Sequence, residues 1–120
     1  MEALVDWLPR IGAILTLIIG LVGFFKPQLI TDGQQISLGS PVALSEARTV
    51  FGGLHIGSSL AALVLNLPLV FITLGMAWLF GLFARLFSMV ADKTSLKQSL
   101  PGFIVDASLA FLFLSGLLFS

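Results

Sequence analysis

The sequence contains no cysteine and no tyrosine, and it has a single histidine among 120 residues. Without cysteine, the chain cannot form a disulfide bond, a thiolate metal site or a cysteine nucleophile. One histidine cannot build an all-histidine metal centre within one chain. Charge is also scarce, because 6 basic and 6 acidic residues leave a net charge of zero. A neutral chain does not attract nucleic acid, so we expect no nucleic-acid partner. We also expect no metal and no cofactor.

Hydrophobic residues make up 58% of the chain and charged residues only 10%, with a mean hydropathy of +1.10. A soluble domain of this length needs a charged surface to stay dissolved, which this composition does not supply. Apolar stretches of about twenty residues recur instead, as is typical of transmembrane helices. The sequence therefore predicts an all-α integral membrane protein, with four transmembrane helices in one up-and-down bundle over residues 1–120.

Turn residues and capping signals set the limits of these helices, which are predicted at about 8–26, 41–66, 68–91 and 99–119. Ser40 can cap the second helix, and Pro41 fits its first position, where a missing N–H does no harm. The tight turn at Asn66-Leu67-Pro68 predicts an antiparallel hairpin of the second and third helices. The stretches 27–40 and 92–99 are predicted as loops.

Basic residues predict the orientation, because they favour the cytoplasmic side. One end of the bundle carries several of them: Lys26, Lys93 and Lys97, with Arg48 and Arg85 nearby. The end with both termini and the 66–68 turn carries Arg10 alone. We therefore expect a multi-pass protein of the cytoplasmic (inner) membrane with both termini outside.

Charged residues inside the predicted spans form one layer: Glu46, Arg48, Arg85 and Asp106. At about 1.5 Å of rise per residue, all four lie roughly 7–11 Å in from the same face. Charged side chains within membrane-spanning helices face the interior of the helix bundle and pair with one another. Such groups also mark ligand-binding sites. We expect Arg85 to pair with Glu46 and to approach Asp106. Arg48 is expected either to snorkel or to reach a partner subunit, and the layer is either structural or ligand-binding.

Small and polar residues follow two faces of the second helix. The first face holds Glu46, Gly53, Gly57 and Ala61, and the second holds Arg48, Gly52, His55 and Ser59. Small residues at this spacing let helices approach closely, so Gly52, Gly53 and Gly57 are predicted packing positions. His55 and Ser59 are secondary polar candidates for a site.

Polar residues also follow one face of the third helix. Arg85, Ser88 and Asp92 share this face at helical spacing, with Gly81 and Trp78 continuing it. Ser88 and Asp92 are therefore further candidates for a polar site, alongside Arg85.

The chain carries four characteristic stretches in order: GLVGFFKP, SEARTVFGGLHIG, GLFARLFSMVADK and GFIVDASLAFL. In this order they resemble the small bacterial four-helix membrane proteins of domain-of-unknown-function family 4345. The matching positions are Pro27, then Ser45, Glu46, Arg48, Phe51, Gly52 and Gly53, then Arg85, Ser88 and Asp92, then Asp106. Phe51 stands where tyrosine is more frequent, and Asp106 where glutamate is usual. The resemblance implies four helices and an envelope location, and it implies no established activity.

Three functions are compatible with these features. The first is a small non-enzymatic membrane protein that acts through helix–helix association, as an accessory subunit with another membrane protein or as a homo-oligomer. The second is a ligand-binding or transport protein whose layer of Glu46, Arg85 and Asp106 holds a lipid head group, a quinone or an ion. The third is an enzyme on a lipid-soluble substrate, although no residue is assigned a catalytic role.

Overall fold

The computed structural model describes residues 2–118, which are all-α, with no strand in that range. Its elements are α1 (Glu2–Phe25), α2 (Pro27–Gly33), α3 (Pro41–Ala47), a π-helical segment (Arg48–Gly53), α4 (Leu54–Leu65), α5 (Pro68–Ala91) and α6 (Leu96–Leu118). The helices α3 and α4 and the π-helical segment run on as one rod, Pro41–Leu65, called here the second span. Four stretches are long and apolar enough to cross a membrane: Asp6–Phe25, Pro41–Leu65, Pro68–Ala91 and Leu96–Leu118.

Local capping signals begin and end the second span as the sequence predicts. The Ser40 hydroxyl accepts a hydrogen bond from the Ala43 N–H at 3.1 Å, and Pro41 follows at the first helical position. Asn66 ends the rod in the left-handed conformation, with φ 50°. Pro68 then starts α5, whose end at Ala91 is also the predicted one.

Three predicted boundaries are wrong. Residues 27–33, predicted as part of a loop, form α2, because Pro27 starts a helix there. The first helix begins at Glu2 and not near residue 8. The last begins at Leu96, because Ser95 and Gln98 form a capping box in which each side chain bonds the other's backbone N–H. Its predicted final residue, 119, lies outside the described residues.

The four spans pack in the lateral order α5, α6, α1 and second span. The core between them holds Ala13, Ala62, Phe71, Leu109 and Phe113. The second span and α5 follow one another in sequence, but they contact each other only sparsely, because α1 covers one and α6 the other. The predicted hairpin is therefore a tight turn between two helices that have different neighbours.

Glycines bring α1 and the second span into backbone contact. A Cβ at Gly52 would lie 2.7 Å from the Phe24 backbone nitrogen and Cα, and Gly23 lies against the Phe51 carbonyl from the other side. The prediction that Gly53 and Gly57 also pack closely is wrong within one chain. Both are exposed, and a Cβ at either would meet nothing within 4 Å. The small residues at these positions therefore do not serve packing inside the chain.

The neighbouring glycines Gly52 and Gly53 provide a matched test of this packing. Because a new Cβ would overlap backbone atoms of α1, Gly52→Ala should lower the free energy of unfolding by about 1–3 kcal/mol. Gly53→Ala should change it by no more than about 1 kcal/mol, in the stabilising direction expected from helix propensity. Thermal unfolding in detergent measures both, and equal effects would contradict the contact.

Candidate functional site

An open cavity of about 670 Å³ lies between α5, α6 and the turn that follows α2. Its apolar wall comes mainly from α5, where small residues leave room beside one aromatic ring: Ala77, Trp78, Gly81 and Ala84. Pockets for small molecules typically have volumes of ~300–1,000 Å³ and a few polar groups on apolar walls. The volume of the cavity lies within this range, and the cavity is open rather than enclosed.

The other end of the cavity is polar. Its side chains come from four parts of the chain: Gln34 and Gln35, Arg85 and Ser88, Thr94, and Gln98, Ser99 and Asp106. Arg85 and Asp106 carry the two charges of this set. The remaining six are amides and hydroxyls, which both donate and accept hydrogen bonds.

An ion pair between α5 and α6 organises this polar end. The Arg85 Nε–H donates to Asp106 Oδ2, and Arg85 Nη1 donates to Gln34 Oε1 at 3.3 Å. The Asp106 side chain is 6% exposed, whereas the Arg85 side chain is 31% exposed and lines the cavity. The guanidinium thus links α5, α6 and the turn after α2.

A glycine provides the seat for this guanidinium. A Cβ at Gly102 would lie 2.5 Å from Arg85 Nη2 and would overlap the guanidinium carbon as well. Gly102 stands one turn before Asp106 on α6, so the flat guanidinium lies over the glycine and reaches the carboxylate beyond it. Any side chain at this position would displace Arg85.

The predicted polar layer is brought together only in part. Arg85 approaches Asp106 as expected, but the predicted Arg85–Glu46 pair is wrong. Glu46 is exposed, and the one salt bridge among the described residues is Arg85–Asp106. Equal depth did not bring Glu46 and Arg85 together, because the second span packs on α1 and not along α5.

Arg48 has a partner within its own chain. Its Nη1 donates to the Phe24 carbonyl and, at 3.4 Å, to the Phe25 carbonyl. These carbonyls end α1, where helical C=O groups have no partner in their own helix. Arg48 therefore caps α1 within its own chain. The expectation that it snorkels or reaches another subunit stays a prediction.

Of the four secondary polar candidates, only Ser88 lines the cavity; the others are Asp92, Ser59 and His55. Ser88 lines the cavity, whereas Asp92 is exposed beyond it at the end of α5. Ser59 is buried, and its hydroxyl donates to the Ile56 carbonyl at 3.1 Å. The structure brings neither Ser59 nor His55 into the cavity lining.

His55 connects the π-helical segment to the cavity wall. Its Nδ1 lies 2.8 Å from the Val50 carbonyl, five residues earlier. The centroid of its ring lies 5.4 Å from that of Trp78, in an edge-on arrangement. Trp78 lines the cavity and His55 does not, so His55 contacts a residue of the cavity wall without lining the cavity itself.

Sequence reasoning missed five polar lining residues: Gln34, Gln35, Thr94, Gln98 and Ser99. They lie in stretches predicted as loops, for which the sequence gives no tertiary neighbours. The Ser95-x-x-Gln98 capping box was a readable signal that Gln98 and Ser99 belong to α6 and share its first turn. No comparable signal exists for Gln34, whose contact with Arg85 spans 51 positions.

No group of three His, Asp or Glu side chains that could hold a metal ion occurs in the described part of the chain. Comparisons of the chain with protein-family models, with curated proteins and with solved structures found no match.

A double-mutant cycle tests which acid Arg85 is coupled to. For Arg85→Leu and Asp106→Leu, the double variant should be more stable than the sum of the single effects predicts, by roughly 0.6–1.7 kcal/mol, because each single variant strands a charge. Arg85→Leu with Glu46→Leu should be additive within about 0.5 kcal/mol. Stronger coupling to Glu46 than to Asp106 in detergent unfolding would contradict the structure.

Proposed function

We propose that this protein binds an amphipathic small molecule in the cavity between α5, α6 and the turn after α2. The observation that carries the proposal is the cavity itself, about 670 Å³ in volume, with hydrogen-bonding groups at one end and an apolar wall at the other. We therefore propose binding of a small molecule, and not helix–helix association, as the main role of the protein.

The order of the lining residues along α5 gives the ligand a direction. From the middle of the helix toward its end, the lining runs from apolar to polar: Ala77, Trp78, Gly81, Ala84, Arg85 and Ser88. At about 1.5 Å per residue, the lining extends over roughly 16 Å of α5. An amphiphile would place its head beside Arg85 and Ser88 and its tail along Trp78 toward the middle of the span.

The membrane setting of the site is part of the same proposal. We place the chain in the bacterial inner membrane with Lys26, Lys93 and Lys97 on the cytoplasmic side and both termini outside, because basic residues favour the cytoplasm. The resemblance to family 4345 supports an envelope location. In this orientation, the polar end of the cavity faces the cytoplasmic surface.

A second role is favoured by the exposed face of the second span. Glu46, Gly53, Gly57 and Ala61 all lie on this face without a neighbouring helix in their own chain. Small residues of this spacing support close helix packing in membranes. Association with a second copy or another membrane protein through this face is therefore compatible with ligand binding, because none of these four residues lines the cavity.

Filling the cavity tests the binding role. Ala84→Leu should reduce the amount of co-purifying amphiphile, because the added side chain occupies the boundary between the apolar and polar ends. Ala91→Leu, at an exposed position of α5 outside the cavity lining, is the matched control and should leave the amount unchanged. Native mass spectrometry of detergent-extracted protein measures the bound fraction. A bound molecule that is unaffected by Ala84→Leu, or none in the unaltered protein, would contradict the proposal.

A further inference from the structure

We infer that the cavity selects an amphiphile with an uncharged head that carries hydrogen-bond acceptor oxygens. This inference rests on the proposed binding function and specifies the chemistry of the ligand. Ring carbonyls and the ester and hydroxyl oxygens of a glycerol head share this chemistry.

The charges of the cavity cancel within the protein. Arg85 contributes one positive charge and Asp106 one negative charge, and the two are already paired. Lys93 and Lys97 precede the lining residues Thr94 and Gln98, but neither lysine lines the cavity. An anionic head would therefore find no unpaired positive charge, and it would lie beside the Asp106 carboxylate. A cationic head would find no unpaired negative charge, and it would lie beside the Arg85 guanidinium.

Hydrogen-bond donors remain at the polar end after the protein's own bonds are made. A guanidinium has five N–H groups. The hydrogen bond to Asp106 uses one of these N–H groups, and the hydrogen bond to Gln34 uses another. The side chain is 31% exposed and lines the cavity, so its further N–H groups can meet a ligand oxygen. An acceptor oxygen on an uncharged head satisfies these donors without adding net charge.

The amides and hydroxyls of the rim extend the same preference. Ser99 Oγ donates to Thr94 Oγ1 at 3.4 Å, and Gln98 Oε1 accepts from the Ser95 N–H. Gln35 and Ser88 add an amide and a hydroxyl. Such groups exchange hydrogen bonds with neutral oxygens and provide no charge to offset the desolvation of an ionised head.

The test is a competition on the intact protein in detergent, read by native mass spectrometry. The probes are a monoacylglycerol, an alkyl-substituted benzoquinone and a lysophosphatidic acid at equal concentrations. At least one neutral probe should exceed the anionic probe by about tenfold, because the ionised head would have to be desolvated beside the Asp106 carboxylate with no unpaired positive charge to offset that cost. The neutral probe that binds identifies the source of the head. Preference for the anionic probe overturns this inference alone, whereas no binding of any probe overturns the proposed function as well.

Two variants connect the preference to the ion pair. Asp106→Asn keeps an acceptor oxygen for Arg85 but leaves the cavity positive, so occupancy by lysophosphatidic acid should rise about tenfold. Asp6→Asn makes the same change at an exposed position outside the cavity and should not alter the preference. Gly102→Ala should displace the guanidinium and lower neutral-probe occupancy about tenfold, unlike Gly116→Ala, whose Cβ meets nothing within 4 Å. An unchanged preference in Asp106→Asn and unchanged occupancy in Gly102→Ala would overturn the inference.

Discussion

The ion pair between Arg85 and Asp106 is the interaction on which the cavity depends. A charge in a membrane-spanning segment is costly unless it is paired, and removal of one partner leaves the other stranded. Here the pair joins α5 to α6 and, through Gln34, fixes the turn after α2 over the same site. Gly102 leaves room for the guanidinium in its present position, because a Cβ there would overlap it. One interaction thus joins two spans and forms the polar end of the cavity.

The opposite edge of the molecule is held by a joint between α1 and the second span. Arg48 satisfies the last carbonyls of α1, and Gly52, one turn later, lies directly against the Phe24 backbone. The π-helical segment lies at this joint, and the change of register there accompanies the close approach. Glu46, on α3 before this segment, and Gly53, at its end, are both exposed. Neighbouring residues of one motif therefore have different tasks, with Arg48 and Gly52 holding the chain together and Glu46 and Gly53 left to meet lipid or a partner.

Local sequence signals were sufficient to predict the spans and most of their limits. They were insufficient to predict which spans lie side by side. Composition predicted four spans, and Ser40-Pro41 and Asn66-Pro68 gave the limits of the second because caps and prolines act within one turn. Matching of depths found Arg85 with Asp106, but it also paired Arg85 with Glu46, because depth along a helix does not specify which helices are neighbours. The two faces of the second span were separated correctly, yet the periodicity could not tell which one α1 would cover. Gln34 was missed because its partner is distant in the sequence.

The absence of native cysteine makes the cavity directly testable by single-cysteine labelling. The central claim is that Ala84 faces an open polar cavity beside Arg85, whereas Phe83, its neighbour on α5 at nearly the same depth, lies outside that lining. The measurement is the rate at which a membrane-impermeant, charged maleimide labels Ala84→Cys and Phe83→Cys in intact and inverted membrane vesicles. The account predicts rapid labelling of Ala84→Cys from the cytoplasmic side and slow labelling of Phe83→Cys. Equal slow rates at both positions would contradict an open cavity at this site.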